Sequence, residues 1–488
     1  MISNYLPAGV EYLRILPEMT LTVFGALLML LEARAGAGHR RGLAYLALFA
    51  ILLAMGGTIV AAASPGPAFQ KMLTVDGFAA FFRMLVLGVG ALAILCSGAY
   101  LAREKADSGE YYALILFSLA GQSLMVSAAE LMMVFIGLEI SSIATYVLAG
   151  FLRDDKRNNE SAIKYFLLGS FATAFLLYGV AWIYGVTGTT YLNEIRLFLR
   201  NPVVAAPPLV VGGSAALMFV GFAFKVSAAP FQLWAPDVYQ GAPAPVTAFM
   251  SAGPKAAAFA VLLRVYSTAF ADVSGNWIPI IWASALFTMI IGNFAALTQQ
   301  NIKRLLAYSS IAHAGYVMVA VTAHSEIGIA AAMFYLTAYA FMNVGAFAVV
   351  THFSRQGERY VNVDDLAGLG VKHPLLAAAF GVFLLSFIGI PLTAGFFGKF
   401  YIFKAAIDSR LYWLTVFGLL NSAVAAYYYL RVLVVMYFHD PGEATETLAP
   451  PSTGIRLVLA GAAVATLILG IYPSLLLDIA TPSAILAR

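Results

Sequence analysis

Apolar residues along this chain come in long runs separated by short polar breaks. Each run approaches the roughly 20 residues that a helix needs to cross the hydrocarbon layer, so the pattern predicts about fourteen spanning helices. The predicted spans are 13–33, 42–63, 77–102, 111–127, 129–152, 160–185, 208–240, 243–270, 277–299, 303–323, 327–353, 374–407, 411–438 and 454–481. The connections around Asn193 to Pro208, over 354–373 and over 439–453 are longer than the rest. None is long enough for a separate soluble domain, so residues 1–488 read as one all-α polytopic membrane domain. Within it stand three N-terminal helices (1–105), a set of five (111–270), a second set of five (277–438) and a C-terminal helix (454–481).

Composition narrows the picture further. Of 488 residues, 61% are hydrophobic and only 11% charged, with a mean hydropathy of +0.86. A soluble domain carries about 25% charged residues, and a disordered chain is far less apolar. The net charge of +4 is mild and scattered, which gives no footprint for nucleic acid. The single cysteine, Cys96, cannot form an internal disulfide, a four-thiolate zinc site or an iron–sulfur cluster, so redox chemistry would sit on another chain. Glu11, Arg14 and Glu18 interrupt the N-terminal run, against a signal peptide. GVGALA (88–93) fits a dinucleotide-binding pattern only by chance, being inside a predicted span with no strand before it.

The distribution of basic residues sets an orientation. One set of alternate loops holds Arg34, Arg40, Arg41, Arg103, Lys105, Arg153, Lys156, Arg157, Lys303, Arg304, Arg355, Arg359, Lys372 and Arg456. The other set, with the termini, holds Arg14, Lys71, Arg196, Arg200, Arg264, Arg410 and Arg488. The richer set is expected on the cytoplasmic side, with both termini periplasmic. Lys303 and Arg304 read as ordinary loop-side cations, and Asp237 as a structural acid at a helix end.

Two spans are too long for one simple helix and carry a proline in the middle: Pro230 in the seventh and Pro391 in the twelfth. A proline inside a helix deprives the carbonyl four residues back of its donor, here Val226 and Phe387. At lipid depth such a carbonyl persists only against protein or a hydrated cavity. The breaks are five spans apart, an odd number, so a five-helix repeat would be inverted, the arrangement in which paired breaks mark a transport site.

Charges inside the spans carry the chemistry. An ionisable group at a helix centre costs about 2.5–3.5 kcal/mol on insertion. Glu139 lies mid-way along the fifth span, Lys225 five residues before Pro230, Lys255 at the centre of the eighth span after Gly253-Pro254, and Lys399 eight residues after Pro391. Buried amines alternating with carboxylates suit proton transfer, because burial disfavours the charged amine and a nearby carboxylate restores it. Lys164, about one turn into the sixth span, and His313 and Tyr308 on the tenth are further candidates for a proton path. The competing readings are ordinary proline kinks at Pro230 and Pro391, static ion pairs, interhelical hydrogen bonds, and snorkelling by Lys164 or Lys399.

Three stretches resemble one family. FKVSAAPFQLWAPDVYQGAPAPVTAFMSAGPKAAAF (224–259), NIKRLLAYSSIAHAGY (301–316) and PLTAGFFGKFYIF (391–403) are similar to the antiporter-like subunits of respiratory complex I. Where the larger members usually read histidine-threonine-tryptophan-leucine-proline-aspartate, this chain reads QLWAPDVYQG (232–241), which resembles the N type, the bacterial counterpart of mitochondrial NADH dehydrogenase subunit two. Lys399 agrees, since M-type members and the antiporters tend to have glutamate there. The resemblance implies two inverted five-helix repeats, helices four to eight and nine to thirteen, each with a broken helix. It implies that Glu139 pairs with Lys225, that Lys255 is the central carrier and Lys399 the far-side carrier, and that Lys164 takes part. It further implies a proton-translocating subunit of NADH:quinone oxidoreductase in a bacterial inner membrane. No cofactor is expected on this chain; flavin, iron–sulfur clusters and quinone are expected on partner subunits. The expected partners are an M-type subunit, the small K- and J-type subunits, and lipids. The alternatives are a Mrp-type Na⁺/H⁺ antiporter subunit, which QLWAPDVYQG argues against, and a static scaffold.

Overall fold

The computed structural model describes residues 8–34, 40–201 and 206–486. The side chains of Arg40 and Arg41, residue Arg488, both chain ends and part of the Asn193–Pro208 connection lie outside the described residues. Sixteen principal helices follow one another: α1 (Leu16–Glu32), α2 (Arg40–Ala62), α3 (Gly77–Arg103), α4 (Gly109–Ser127), α5 (Leu131–Ala149), α6 (Lys156–Thr187), α7 (Pro208–Val226), α8 (Trp234–Gly241), α9 (Ala244–Thr268), α10 (Ile278–Leu297), α11 (Ile302–Thr322), α12 (Glu326–Phe353), α13 (Pro374–Ile388), α14 (Ala394–Asp408), α15 (Tyr412–Phe438) and α16 (Thr453–Ile471). A helix stands at each of the fourteen predicted stretches, and the seventh and twelfth are each divided in two.

By length and composition, eleven described helices can cross a membrane, or twelve if the bent pair 364–372 and 374–388 counts as one span. That is fewer than fourteen, for physical reasons. Helix α1 has only 17 residues, α4 carries Ser118, Gln122 and Ser123 in its interior, and the twelfth stretch is cut at 389–393. The last predicted helix is also shorter than 454–481, ending at Ile471 before a separate helix over Ser474–Ser483. Residues 66–75, which have no apolar period, form a hairpin of two three-residue strands.

Helices α9, α11 and α12 are buried along almost their whole length, and the other helices surround them. Small residues permit this packing. At the α4–α5 crossing, a Cβ on Gly121 would stand 2.6 Å from the Ser141 nitrogen and one on Gly137 2.8 Å from the Met125 nitrogen, so the two backbones touch. Gly292 meets the Ala312 nitrogen at 2.6 Å in the same way where α10 crosses α11.

A second correspondence links these pairs. The start of α5 is pinned by Leu131 N–H to Thr190 O (2.9 Å) and Leu192 N–H to Ala129 O (3.0 Å). The start of α11 is pinned by Ile302 N–H to Val361 O (2.7 Å) and Val363 N–H to Gln300 O (2.8 Å). All four residues of the second set follow those of the first at one constant offset in sequence.

Two ion pairs bind the N-terminal helices to this core. Arg83 on α3 meets Glu18 on α1 at 2.7 Å, with the two side chains 0% and 5% exposed. Arg264 near the end of α9 makes two bonds to Asp76, of 2.9 and 2.8 Å, and Asp76 also caps α3 by accepting from the Ala79 N–H. Arg264 therefore belongs to a buried pair and not to a loop, as its place in the charge pattern suggests. Burial pushes the Asp76 carboxyl up, but Arg264 and the Ala79 N–H outweigh burial and hold it below its ordinary value of 3.8.

Arg83→Met strands the Glu18 carboxylate and should cost about 3–5 kcal/mol, lowering the thermal-denaturation midpoint in detergent. The double variant Glu18→Leu/Arg83→Met should recover most of that loss. The Asp76 contribution is complete above its ordinary value and disappears as pH falls through the lower native value. Asp76→Asn should therefore flatten the fall of the midpoint between about pH 5 and about pH 3.

Candidate functional site

Both broken spans stop at a residue in left-handed backbone conformation. Helix α7 ends at Val226 because Ser227 turns to φ 63°, three residues before Pro230. Helix α13 ends at Ile388 because Gly389 turns to φ 91°, ahead of Pro391. The prolines thus lie inside breaks that begin earlier than proline geometry alone predicts. At the first break, the Phe224 carbonyl accepts from the Trp234 indole at 2.9 Å. The Ala229 amide donates to Thr288 Oγ1 (2.7 Å) and its carbonyl accepts from Ser284 Oγ (2.5 Å), so α10 clamps the break.

At the second break the clamp is a candidate residue itself. Lys399 Nζ donates to the carbonyls of Phe387 and Ile388, both at 2.9 Å, and to Ser422 Oγ on α15 at 2.7 Å. The Phe387 carbonyl is the one that Pro391 was expected to leave free. The same ammonium lies 4.8 Å above the Tyr316 ring.

Lys255 Nζ, in the middle of α9, donates to Ser310 Oγ at 2.5 Å and to the Ser310 carbonyl at 3.2 Å. Lys225 Nζ, in the last turn of α7, donates to Ser142 Oγ at 2.8 Å and to the Tyr165 hydroxyl at 3.2 Å. The three lysines are 4%, 2% and 6% exposed in the order Lys225, Lys255, Lys399. Glu139 lies one turn before Ser142 on the same face of α5 and is partly buried. Among the described residues, Lys225 forms no ion pair, so the direct Glu139–Lys225 contact implied by the resemblance is not made; Ser142 and Tyr165 take that place.

Helix α11 connects the centre to the far side. Ser310 holds Lys255, and three residues later His313 bonds the Tyr335 hydroxyl at Nδ1 (2.5 Å) and the Tyr429 hydroxyl at Nε2 (3.1 Å). The Tyr429 hydroxyl also bonds Ser309. One turn further on, Tyr316 lies under Lys399 and its hydroxyl accepts from Asn293 Nδ2 at 3.3 Å.

Two other candidates lie elsewhere. Lys164 is 40% exposed and bonded to Glu160 (2.6 Å) and Asp237 (2.9 Å). Asp237 also meets Arg304 at 2.7 Å, and the Arg304 guanidinium lies 5.8 Å above the Tyr308 ring. Lys164 and Tyr308 therefore belong to an ion network at one end of the bundle, outside the His313 chain. Lys303 corrects another expectation. It is 1% exposed, donates to Glu358 Oε2 and the Ala242 carbonyl, both at 2.6 Å, and is no ordinary loop cation. Glu358 in turn accepts from the Tyr100 hydroxyl (3.0 Å) and from the Ala244 N–H at the start of α9 (2.8 Å). A polar pocket of about 200 Å³ opens among Lys164, Asp237, Lys303 and Glu358.

The sequence reading did not single out Ser142, Tyr165, Tyr335, Ser422, Tyr429 or Glu358. All are common residue types whose partners come from other helices, so spacing carries no signal for them. Among the described residues, no group of three or more His, Cys, Asp or Glu side chains is placed to hold a metal ion.

The buried cations divide into two kinds. Among the described residues six are buried: Arg83, Lys225, Lys255, Arg264, Lys303 and Lys399. Arg83, Arg264 and Lys303 each touch a carboxylate. Lys225, Lys255 and Lys399 bond only hydroxyls and carbonyls. An amine held by neutral acceptors can gain or lose its proton without stranding a carboxylate.

Comparison with known proteins identifies the family. Residues 128–425 match the family described as NADH:quinone oxidoreductase/Mrp antiporter, TM. The chain is 61% identical over 475 residues to NADH-quinone oxidoreductase subunit N 1 of Solibacter usitatus, covering 97% of each chain. It is 36% identical to a chain of respiratory complex I from Thermus thermophilus with bound aureothin, with a TM-score of 0.82 and coverage of 95% of this chain and 99% of that one. A chain of the Mrp complex from a Dietzia species is 20% identical with a TM-score of 0.84, covering 97% of each, and shares the fold. The chain belongs to the NADH:quinone oxidoreductase/Mrp antiporter family, among its N-type subunits.

Proposed function

We propose that the protein translocates protons in the membrane arm of NADH-quinone oxidoreductase, with Lys225, Lys255 and Lys399 as the carriers. The observation that carries this reading is the division of the buried cations: the three lysines deepest in the spans are the ones that lack a carboxylate. His313 and its two tyrosines stand between Ser310, which holds Lys255, and Tyr316, which lies under Lys399, along α11. Glu139, one turn before Ser142 on α5, is the gating partner of Lys225 on this reading. Electron transfer on partner subunits changes charge along this axis and drives the protons. One proton moved against 100 mV requires about 2.3 kcal/mol.

The helix plan supports the reading. On this reading the chain has fourteen spans and periplasmic termini, an orientation that rests on the basic residues of the alternate loops. Helices four to eight (111–270) and nine to thirteen (277–438) act as inverted repeats. Their support is the glycine crossings at α4–α5 and α10–α11, the two backbone bridges at constant offset, and one broken span in each. That offset relates Ser142, which holds Lys225, to His313, and Glu139 to Ser310, which holds Lys255. The partners on this reading are an M-type subunit, the K- and J-type subunits and bilayer lipids, and the redox groups are carried by other chains.

Lys255→Ala should leave the complex assembled and strongly reduce NADH-driven proton pumping in vesicles; pumping at the wild-type level in the assembled variant overturns the role. Lys303→Met should act differently. It strands Glu358 at a cost of about 3–5 kcal/mol, so the yield of assembled complex falls while the protons pumped per NADH in the surviving fraction stay unchanged.

A further inference from the structure

Helices α13 and α16 both begin on the side of the bundle that holds most of the basic loop residues, at Pro374 and Thr453. A groove of about 810 Å³ opens between them. The two helices line it in the same way. From α13 come Leu375, Ala378, Ala379 and Val382, and from α16 come Arg456, Leu459, Ala460 and Ala463. Each set follows the i, i+3, i+4, i+7 spacing of one helix face. The alanines leave the space that larger side chains would fill, and Leu375 at the mouth is 87% exposed.

The rim of this groove is basic and its floor apolar. Arg456 heads the stripe on α16, and Lys372, three residues before Leu375, lines the same groove. The chain turns by 119° between 364–372 and 374–388, which keeps Lys372 at the corner where α13 begins. Arg456 Nε donates to the Pro451 carbonyl at 2.7 Å, so the guanidinium is held at the start of its helix. Among the described residues Arg456 forms no ion pair. Lys372 has Glu446 at 3.7 Å, with the side chains 45% and 56% exposed, a surface pair of little strength. No carboxylate lines the groove itself.

The depth fits a lipid tail. Seven residues separate the ends of each stripe, about 10 Å at 1.5 Å per residue. One leaflet of hydrocarbon is about 15 Å deep, half of the roughly 30 Å core. A spanning helix of a neighbouring subunit would cover the apolar floor but would leave the two cations without an anion at the rim.

We propose that this groove binds an anionic glycerophospholipid, with its phosphate between Lys372 and Arg456 and an acyl chain along the two stripes. Basic residues above an apolar cleft between spanning helices suit such a headgroup. The leaflet is the cytoplasmic one, which rests on the orientation read above; the site itself does not depend on it. The lipid joins α16 to α13, the half-helix whose last carbonyls hold Lys399.

The intact complex in vesicles, doped with phosphatidylglycerol carrying a photoreactive group in one acyl chain, tests the site. Mass spectrometry of the irradiated subunit should find label within 375–382 and 459–463. Phosphatidylcholine with the same labelled chain should mark these stretches about fivefold less or lower, relative to the other labelled peptides of the complex. Lys372→Gln/Arg456→Gln should bring the phosphatidylglycerol signal down to that level. Ala460→Phe, which fills the groove and keeps both cations, should lower both signals. Equal labelling by the two lipids, or undiminished phosphatidylglycerol labelling in the double variant, overturns the anionic site. Absence of label from both stretches in the wild type overturns it as well and assigns the groove to a neighbouring subunit. If the double variant does not assemble, the ratio between the two lipids in the wild type decides alone. Pumping is not read, so failure here leaves the proton-carrier proposal untouched.

Discussion

A cation inside the hydrocarbon layer has to be solvated by the protein, because water is not there to do it. At Lys399 the solvating groups are the carbonyls left open where α13 stops. The break in the helix and the charge in the membrane are therefore one arrangement, in which each supplies what the other lacks. Closing the break would take both carbonyls from the lysine, and removing the lysine would leave the Phe387 carbonyl without its donor and the Ile388 carbonyl with Ser422 Oγ at 3.3 Å. The enclosed positions of α9, α11 and α12 follow from the same need, since they bring Lys255, Ser310, His313 and Tyr335 together away from lipid.

The protein solves the problem of buried charge in two ways. Arg83, Arg264 and Lys303 are neutralised by Glu18, Asp76 and Glu358, and these pairs join elements far apart in sequence. Glu358 also accepts from the first turn of α9, so a loop after α12 holds the end of the helix that carries Lys255. Such pairs are fixed, because either partner alone is strongly unfavourable. The lysines of the axis have neutral acceptors, and their protonation can change while the surrounding hydrogen bonds rearrange. Stability and transport thus draw on the same residue type, separated by what each amine touches.

Much of this was legible in the sequence. The apolar runs located a helix at every expected stretch, because a run of about twenty apolar residues has few other uses. Lys225, Lys255 and Lys399 stood out through the energetic cost of their positions, and the resemblance carried by 224–259, 301–316 and 391–403 agrees with the relatives found. Other features depend on partners that sequence does not reveal. Lys303 reads as a loop cation until Glu358, 55 residues away, is placed beside it. Tyr308 lies five residues before His313 in sequence, but it faces Arg304, and the histidine is bonded from α12 and α15 instead. The breaks begin at Ser227 and Gly389, where backbone conformation decides, and the prolines mark only their neighbourhood. The Glu139–Lys225 pair is the clearest difference, since the lysine rests on Ser142 and Tyr165.

The central claim is that unpaired lysines change protonation while the enzyme works. It is tested most directly by difference infrared spectroscopy of the intact complex during NADH oxidation, with lysine isotopically labelled in this subunit. The account predicts isotope-sensitive amine and ammonium bands that appear on turnover and weaken when Lys255 is replaced by glutamine. Turnover with normal pumping and no isotope-sensitive lysine band would contradict it, and would leave these lysines as fixed charges in a subunit that transmits force or field without carrying protons.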